Sequence, residues 1–199
     1  MTAPVPTSGP SPRDLAWPKR TERLTLRLLE DADVEALWRI RSQPVVAEWM
    51  TSLSADLEAF REAMREPFRI QSTIVVEVDG TVIGDLMIRV EDPWAQTEVK
   101  QSAAGKQAEL GWCFDPDFQG RGYATEGVVE LLRISFGELR LHRVIANCFA
   151  DNAPSWRIME KVGMRREAHN VRDSLHRQRG WCDGFTYALL ADEYAAAVG

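Results

Sequence analysis

The stretch Gln119-Gly120-Arg121-Gly122-Tyr123-Ala124 follows an apolar strand-like run, Ala108 to Phe114, and opens a helical one. Two glycines one residue apart leave the backbone bare, so several peptide N–H groups can turn toward a single anion. The helix beginning there adds the partial positive charge of its N-terminus, which favours a phosphate at that point. A strand, a phosphate-sized turn and a helix in succession therefore direct this part of the chain toward a mixed α/β domain.

The rest of the chain agrees. Arg23 to Leu28 alternates apolar and polar residues and reads as a strand with one buried face. Asp31 or Asp33 can cap the helix that follows, where Val34, Leu37, Trp38 and Arg41 keep helical spacing until Pro44 ends or bends it. A second amphipathic helix runs from Ser54 to about Glu66, with Leu57, Phe60 and Met64 on one face and Pro67 as its stop. The period then changes: Thr73 to Val78 and Thr81 to Val90 are β-branched runs joined by Asp79-Gly80, a strong hairpin signal. Residues 91–106 form a long polar loop, expected to be functional or mobile. Further strands are expected at 108–114, 143–149, 165–173 and 180–190. Another helix starts at Asn152-Ala153-Pro154 and ends at Gly163 as a left-handed cap. The sum is a single α/β domain with a mixed, mostly antiparallel sheet of about seven strands and about four helices. It spans residues 20–192, between a flexible Pro-rich tail over 1–19, which docks through Trp17, and a short tail over 193–199.

Composition removes several functional classes. A net charge of −6 argues against a nucleic-acid binder, because phosphate backbones select basic faces. No apolar run approaches the ~18 residues of a membrane span, so no membrane partner is expected. The three cysteines, Cys113, Cys148 and Cys182, form no C-x-x-C pair and cannot all pair within one chain, which suits a reducing, cytoplasmic setting. The histidines at 142, 169 and 176 lack metal-ligand spacing, so no metal is expected. Charge is uneven: residues 30–66 hold nine acids against four arginines, which allows a cation-attracting mouth there or simply solvated helix faces.

Two common phosphate turns fit poorly. A P-loop needs Gly-Lys-Ser/Thr at the helix start, whereas Gly122 precedes Tyr123-Ala124. A dinucleotide fingerprint finds Thr125 where its third glycine belongs, and Asp115 to Gln119 separate the strand from the first glycine. The hexapeptide instead resembles the Q/R-x-x-G-x-G/A signature of the GNAT superfamily of acyl-CoA-dependent N-acyltransferases. Thr21 to Arg27 resembles the opening strand of its RimJ/RimL-type branch, and Ala108-Glu109-Leu110-Gly111-Trp112 its central strand. Leu141-His142-Arg143-Val144, Asn152-x-x-Ser155 and Met159-Glu160-Lys161-Val162-Gly163-Met164 are similar to its C-terminal half. The likeness runs over roughly residues 20–192 in the expected order.

The resemblance implies a sheet splayed at its middle between strands 108–114 and 143–149, with acetyl-CoA or another acyl-CoA as co-substrate. Gln119, Gly120, Arg121, Gly122, Tyr123, Ala124 and Thr125 would hold its pyrophosphate, and the exposed backbone of the splayed strands its pantetheine arm. A strand broken by Asp115-Pro116 would leave such groups free. By the same likeness Asn147, Asn152 and Ser155 lie at the cofactor, and Ser155 could protonate the departing thiolate. Asn152 also reads as a plain helix cap, and Ser155 as another. Glu109 is the candidate base, although it could equally face solvent or pair with an arginine. A backbone N–H near Cys113 or Phe114 would hold the developing oxyanion. Direct attack by a primary amine, in a monomer or homodimer, is the implied reaction. The acceptor would be a small molecule or a protein N-terminus. The alternative is a non-catalytic acyl-CoA-binding or sensing module. Cys148 and Cys182 are weak candidates for a nucleophile, since buried thiols are commoner than activated ones.

Overall fold

The computed structural model describes residues 9–199, and its framework is one eight-stranded sheet. The strands are β1 (Lys19–Arg20), β2 (Thr25–Leu28), β3 (Thr73–Val78), β4 (Thr81–Glu91), β5 (Gln107–Phe114), β6 (Arg143–Phe149), β7 (Arg165–His176) and β8 (Gly180–Leu190), in the spatial order β1-β2-β3-β4-β5-β6-β8-β7. All neighbours are antiparallel except β5 and β6. The helices are α1 (Val34–Arg41), α2 (Pro44–Ala47), α3 (Leu57–Met64), α4 (Pro67–Ser72), α5 (Lys100–Ala103), α6 (Tyr123–Arg133), α7 (Ala153–Lys161) and α8 (Ala191–Val198). The expected class holds; the extra elements are mostly one or two turns, too short to show a period. The β3–β4 turn has positive φ at both Asp79 (49°) and Gly80 (77°), as its sequence requires.

Strand alternation divides the apolar residues between two cores. Ile74, Leu86, Ile88, Ala108, Leu110, Val144 and Ala146 face one side and are covered by Val128, Leu131 and Leu132 of α6 and Met159 of α7. Val75 faces the other side, where Val34 and Leu37 of α1 and Phe60 and Met64 of α3 close a smaller core. Gly163 ends α7 with φ 85°, and Met164 N donates to Met159 O at 2.9 Å, which brings Met164 back into the larger core.

Several boundaries differ from the sequence reading. Pro67 does not merely stop α3; its fixed φ and missing N–H also suit the first position of α4. Of the tail expected over 1–19, residues 1–8 lie outside the described residues, while 9–18 pack on the domain. Trp17 donates to Pro12 O at 2.8 Å and covers the larger core, and Arg13 Nη1 donates to Ile70 O at 3.1 Å. The C-terminal segment forms α8, held by Tyr194 stacked on Phe136 at 5.0 Å. The 91–106 loop carries two short helical turns, and its Gly105 packs on Gly9.

One long-range clasp shapes the α1–α3 side. The turn between β7 and β8 reaches the segment after α2, where His176 bonds Glu48 O at 2.8 Å and Arg177 Nη1 donates to Ala47 O at 2.7 Å. His176 Nδ1 accepts the N–H groups of Gln178 and Arg179, so Nε2 carries the proton that goes to Glu48. Trp49 packs between His176 (5.7 Å) and Phe149 (6.2 Å), beneath the guanidinium of Arg179.

Candidate active site

β5 and β6 begin side by side and then part. They pair at Gln107–Arg143, Ala108–Val144 and Glu109–Ile145 and no further. Beyond that point β5 stays with β4 as far as Gly84–Phe114, and β6 stays with β8 as far as Phe149–Gly184. Asp115-Pro116 is therefore not what frees the backbone: the ladder is lost in mid-strand, because each strand follows its outer neighbour. The direction of the free groups follows from antiparallel alternation. Asp115 N donates to Ile83 O, so every second residue back from it, Cys113 included, faces β4. Leu110, Trp112 and Phe114 consequently turn N–H and C=O into the gap. On the other side Ala150 N donates to Asp183 O, which turns Asn147 and Phe149 toward the gap. Of the two expected oxyanion donors, geometry thus favours Phe114; Cys113 directs its N–H to β4. Its thiol is buried, and burial together with nearby Asp85 pushes its pKa up to about 12.

The glycine turn sits at the mouth of this gap. Gly120 and Gly122 have φ of 74° and 82°, a region closed to most side chains, and Gly122 is the N-cap of α6 without any side-chain cap. Among the described residues the N–H groups of 120–125 donate to no protein acceptor. Gln119, Gly120, Arg121 and Gly122 are exposed, and Tyr123, Ala124 and Thr125 are half-buried in the first turn of α6. Unsatisfied donors around a side-chain-free turn at a helix N-terminus fit a diphosphate.

A brace behind the turn was not read from the sequence. Arg23 Nε donates to Glu126 at 2.7 Å, its Nη1 to Arg121 O at 2.8 Å, and its backbone N to Glu126 at 2.9 Å. Thr21 Oγ1 donates to the same carboxylate at 2.5 Å, and the Arg23 guanidinium lies over the Tyr123 ring at 4.8 Å. Burial would raise the Glu126 pKa, but the bonds from Thr21 and Arg23 outweigh it and hold the carboxyl below its ordinary value. Pinning the Arg121 carbonyl backward leaves the N–H side of the turn facing outward.

Glu109 lies where the two strands begin to part, on the sheet face opposite α6. Its carboxylate is bonded by Arg89 of β4 and, at 3.1 Å, by Asn147 Nδ2; Asn147 Oδ1 in turn accepts from Thr186 Oγ1 at 2.9 Å. The arginine pairing allowed for in the sequence is present. Asn147 joins Glu109 through its side chain while its backbone faces the gap. Asn152 caps α7, accepting Ser155 N at 3.4 Å. Burial pushes Cys148 up to about 11 despite Ser155 and Arg166, so it lacks the thiolate character of a nucleophile at neutral pH.

The opposite face of the sheet holds a cavity of about 150 Å³ among α1, α3, α4 and the 47–54 segment. It is lined from residues 38–69, and none of the residues 91–106 lines it. Trp94 is 93% exposed, and Trp49 belongs to the clasp. Five of the nine acids of 30–66 meet arginines: Asp33 meets Arg27, Asp31 and Glu62 meet Arg65, Glu58 meets Arg61, and Glu48 meets Arg179. Among the described residues no group of His, Cys, Asp and Glu side chains could hold a metal ion, and no helix is long and apolar enough to cross a membrane.

A sheet that parts between two parallel strands, with an anion turn at its mouth, defines an acyl-CoA transferase scaffold. Residues 23–165 match the acetyltransferase (GNAT) domain family, and the chain belongs to it. It is similar to the uncharacterized N-acetyltransferase YnaD of Bacillus subtilis (strain 168), at 29% identity over 87% of this chain and 97% of that protein. The L-amino acid N-acetyltransferase AaaT of Escherichia coli (strain K12) is 27% identical over 87% of this chain and 94% of its own. A crystal structure of a GNAT-family acetyltransferase from Bacillus anthracis superimposes with a TM-score of 0.73 at 30% identity, covering 87% of this chain and 98% of the other. The protein is accordingly an acyl-CoA-dependent N-acetyltransferase.

Proposed function

We propose that this enzyme, of the RimJ/RimL-type branch, moves an acetyl group from acetyl-CoA to a primary amine by direct attack within a ternary complex. The observation that carries the reading is the gap between β5 and β6, with free N–H groups of 120–125 at its mouth and Glu109 at its inner end. The turn at 119–125 grips the diphosphate, and the gap-facing backbone of Leu110, Trp112, Phe114, Asn147 and Phe149 pairs with the amides of the pantetheine arm.

Glu109 accepts the proton the amine must lose, directly or through water, while Arg89 and Asn147 fix its orientation. The neutral nitrogen forms its bond to the thioester carbon, the carbon–sulfur bond breaks, and Ser155 gives a proton to the leaving sulfur. The Phe114 N–H bonds the carbonyl oxygen as charge builds on it. Holding both reactants together removes much of the entropic barrier without a covalent enzyme intermediate. The acceptor is a primary amine, and the more basic it is the more Glu109 must do to keep it neutral. The α-amine of a peptide, with pKa about 7.7–8.0, is roughly a tenth neutral at pH 7, whereas a lysine near 10.4 is neutral only about once in 2,500, a handicap of roughly 3.3 kcal/mol against the α-amine.

Thiol release from acetyl-CoA in the presence of amines tests the reading. Glu109→Gln is expected to lower kcat/KM by about 10²–10⁴-fold with little change in CoA affinity. Unchanged turnover in that variant would remove Glu109 from the mechanism.

A further inference from the structure

The cavity beside α4 contains a cation that the chain does not neutralise. Arg41 and Arg69 both line it, with Trp38 and Phe60 as apolar wall and the hydroxyls of Ser52 and Ser54 at its rim. Arg41 is fully matched by the buried carboxylate of Asp85. Arg69 is half-buried and, among the described residues, meets no carboxylate. Its guanidinium touches only Ser52 Oγ at 3.3 Å and the Phe68 ring at 5.0 Å. Burial first, then the positive charge of Arg41, holds its pKa below the ordinary guanidinium value. Arg89 adds to that effect, while Asp85 and Glu66 oppose it. A guanidinium in such surroundings is stabilised by an anion brought into the cavity, and its planar fork matches a carboxylate.

Position makes this an acceptor subsite. Asp85 and Arg89 share one face of β4, four residues or about 13 Å apart, and Arg89 pairs across the strands with Glu109. Arg69 lines the same cavity as Arg41, and its helix α4 packs against β4, the strand that carries Asp85 and Arg89. A group held by Arg69 therefore lies between the cavity floor and the carboxylate proposed as base.

We propose that this cavity binds the carboxylate of the acceptor, so that the enzyme acetylates small primary amines that carry an acid group, amino acids above all, rather than polyamines. This rests on the acetyl-transfer reading above and specifies its second substrate. A polyamine would place further positive charge against Arg69, whereas an amino acid supplies the missing counter-ion and presents its amine toward Glu109.

The test compares α-amino acids, β-alanine and γ-aminobutyrate with their amides and with spermidine, in wild type, Arg69→Ala and Arg69→Lys. Compared at equal concentrations of neutral amine, the carboxylated amines are expected to be the better acceptors. Arg69→Ala should raise their KM about ten- to a hundredfold and change kcat less, leaving the KM of the amides unchanged. Arg69→Lys should recover part of the loss. Amides equal to acids, or spermidine preferred, would overturn the proposal while leaving acetyl transfer standing. Should no amine release thiol, the acetyl-transfer reading fails instead. Calorimetry with the same amino acids then decides the subsite: binding lost in Arg69→Ala supports it, and Arg69-independent or absent binding overturns it. Arg69 touches little else, and a melting temperature within a few degrees of wild type excludes misfolding.

Discussion

Replacing Arg23 by leucine tests whether the brace behind the glycine turn governs cofactor affinity. The substitution removes the ion pair to Glu126 and the bond to the Arg121 carbonyl, and leaves a carboxylate that is 16% exposed in the first turn of α6. Arg23 is itself 42% exposed, so the pair counts as a surface interaction of about 0.2–1 kcal/mol, and with the carbonyl bond the loss of stability is about 1–2 kcal/mol. That corresponds to a melting temperature lower by about 2–8 °C for a chain of this size. The effect on ligand is separate. Glu126 keeps its bonds from Thr21 Oγ1 and the backbone N of residue 23 but loses its cation, and for an assumed separation of about 8 Å it would repel a phosphate charge by about 2 kcal/mol at an effective dielectric constant near 20. Screening removes a substantial part, leaving about 1–2 kcal/mol, a five- to thirtyfold rise in Kd. Calorimetry with coenzyme A and with phosphate-free pantetheine separates the causes. The weakening should appear with coenzyme A alone and shrink as salt is added. Equal weakening of both ligands, or an unchanged Kd for coenzyme A in a folded variant, would refute the argument.

Two further variants probe other parts. Ser155→Ala should slow turnover about tenfold or more while coenzyme A binds as before; a parallel fall in affinity would make Ser155 a binding residue and not a proton donor. For Glu167, bonds from Arg143, opposed by burial and assisted by Arg165, bring the carboxyl down to about 2. A depressed folded pKa stabilises above the ordinary carboxylate range and loses that contribution as pH falls toward 2. The melting-temperature gap between wild type and Glu167→Gln should therefore be widest near neutrality and close on acidification; a gap independent of pH would contradict it.

Much of the framework was legible in the chain because long elements carry a period. The hairpin at 73–90, the cap at Gly163 and the glycine turn all follow from local rules that tertiary context did not override. Elements of one turn escaped: α2 and α4 are too short for a period, and Pro67 looks the same whether it ends one helix or begins the next. The parting of β5 and β6 was expected from resemblance, but its cause was misplaced onto Pro116, since competition between outer neighbours is a property of the whole sheet. Arg23 and Arg69 were invisible for a related reason. One meets its partner 103 residues away, and the other is notable for the partner it lacks.

The clasp at Trp49 sets an order on the life of the chain. Glu48 and Ala47 meet His176 and Arg177 across 128 and 130 residues of sequence. During synthesis the glycine turn and its brace emerge before β6, and all of these emerge before the β7–β8 turn that closes over Trp49. The strand that completes the gap beside β5 therefore follows the turn at its mouth, and the clasp comes last.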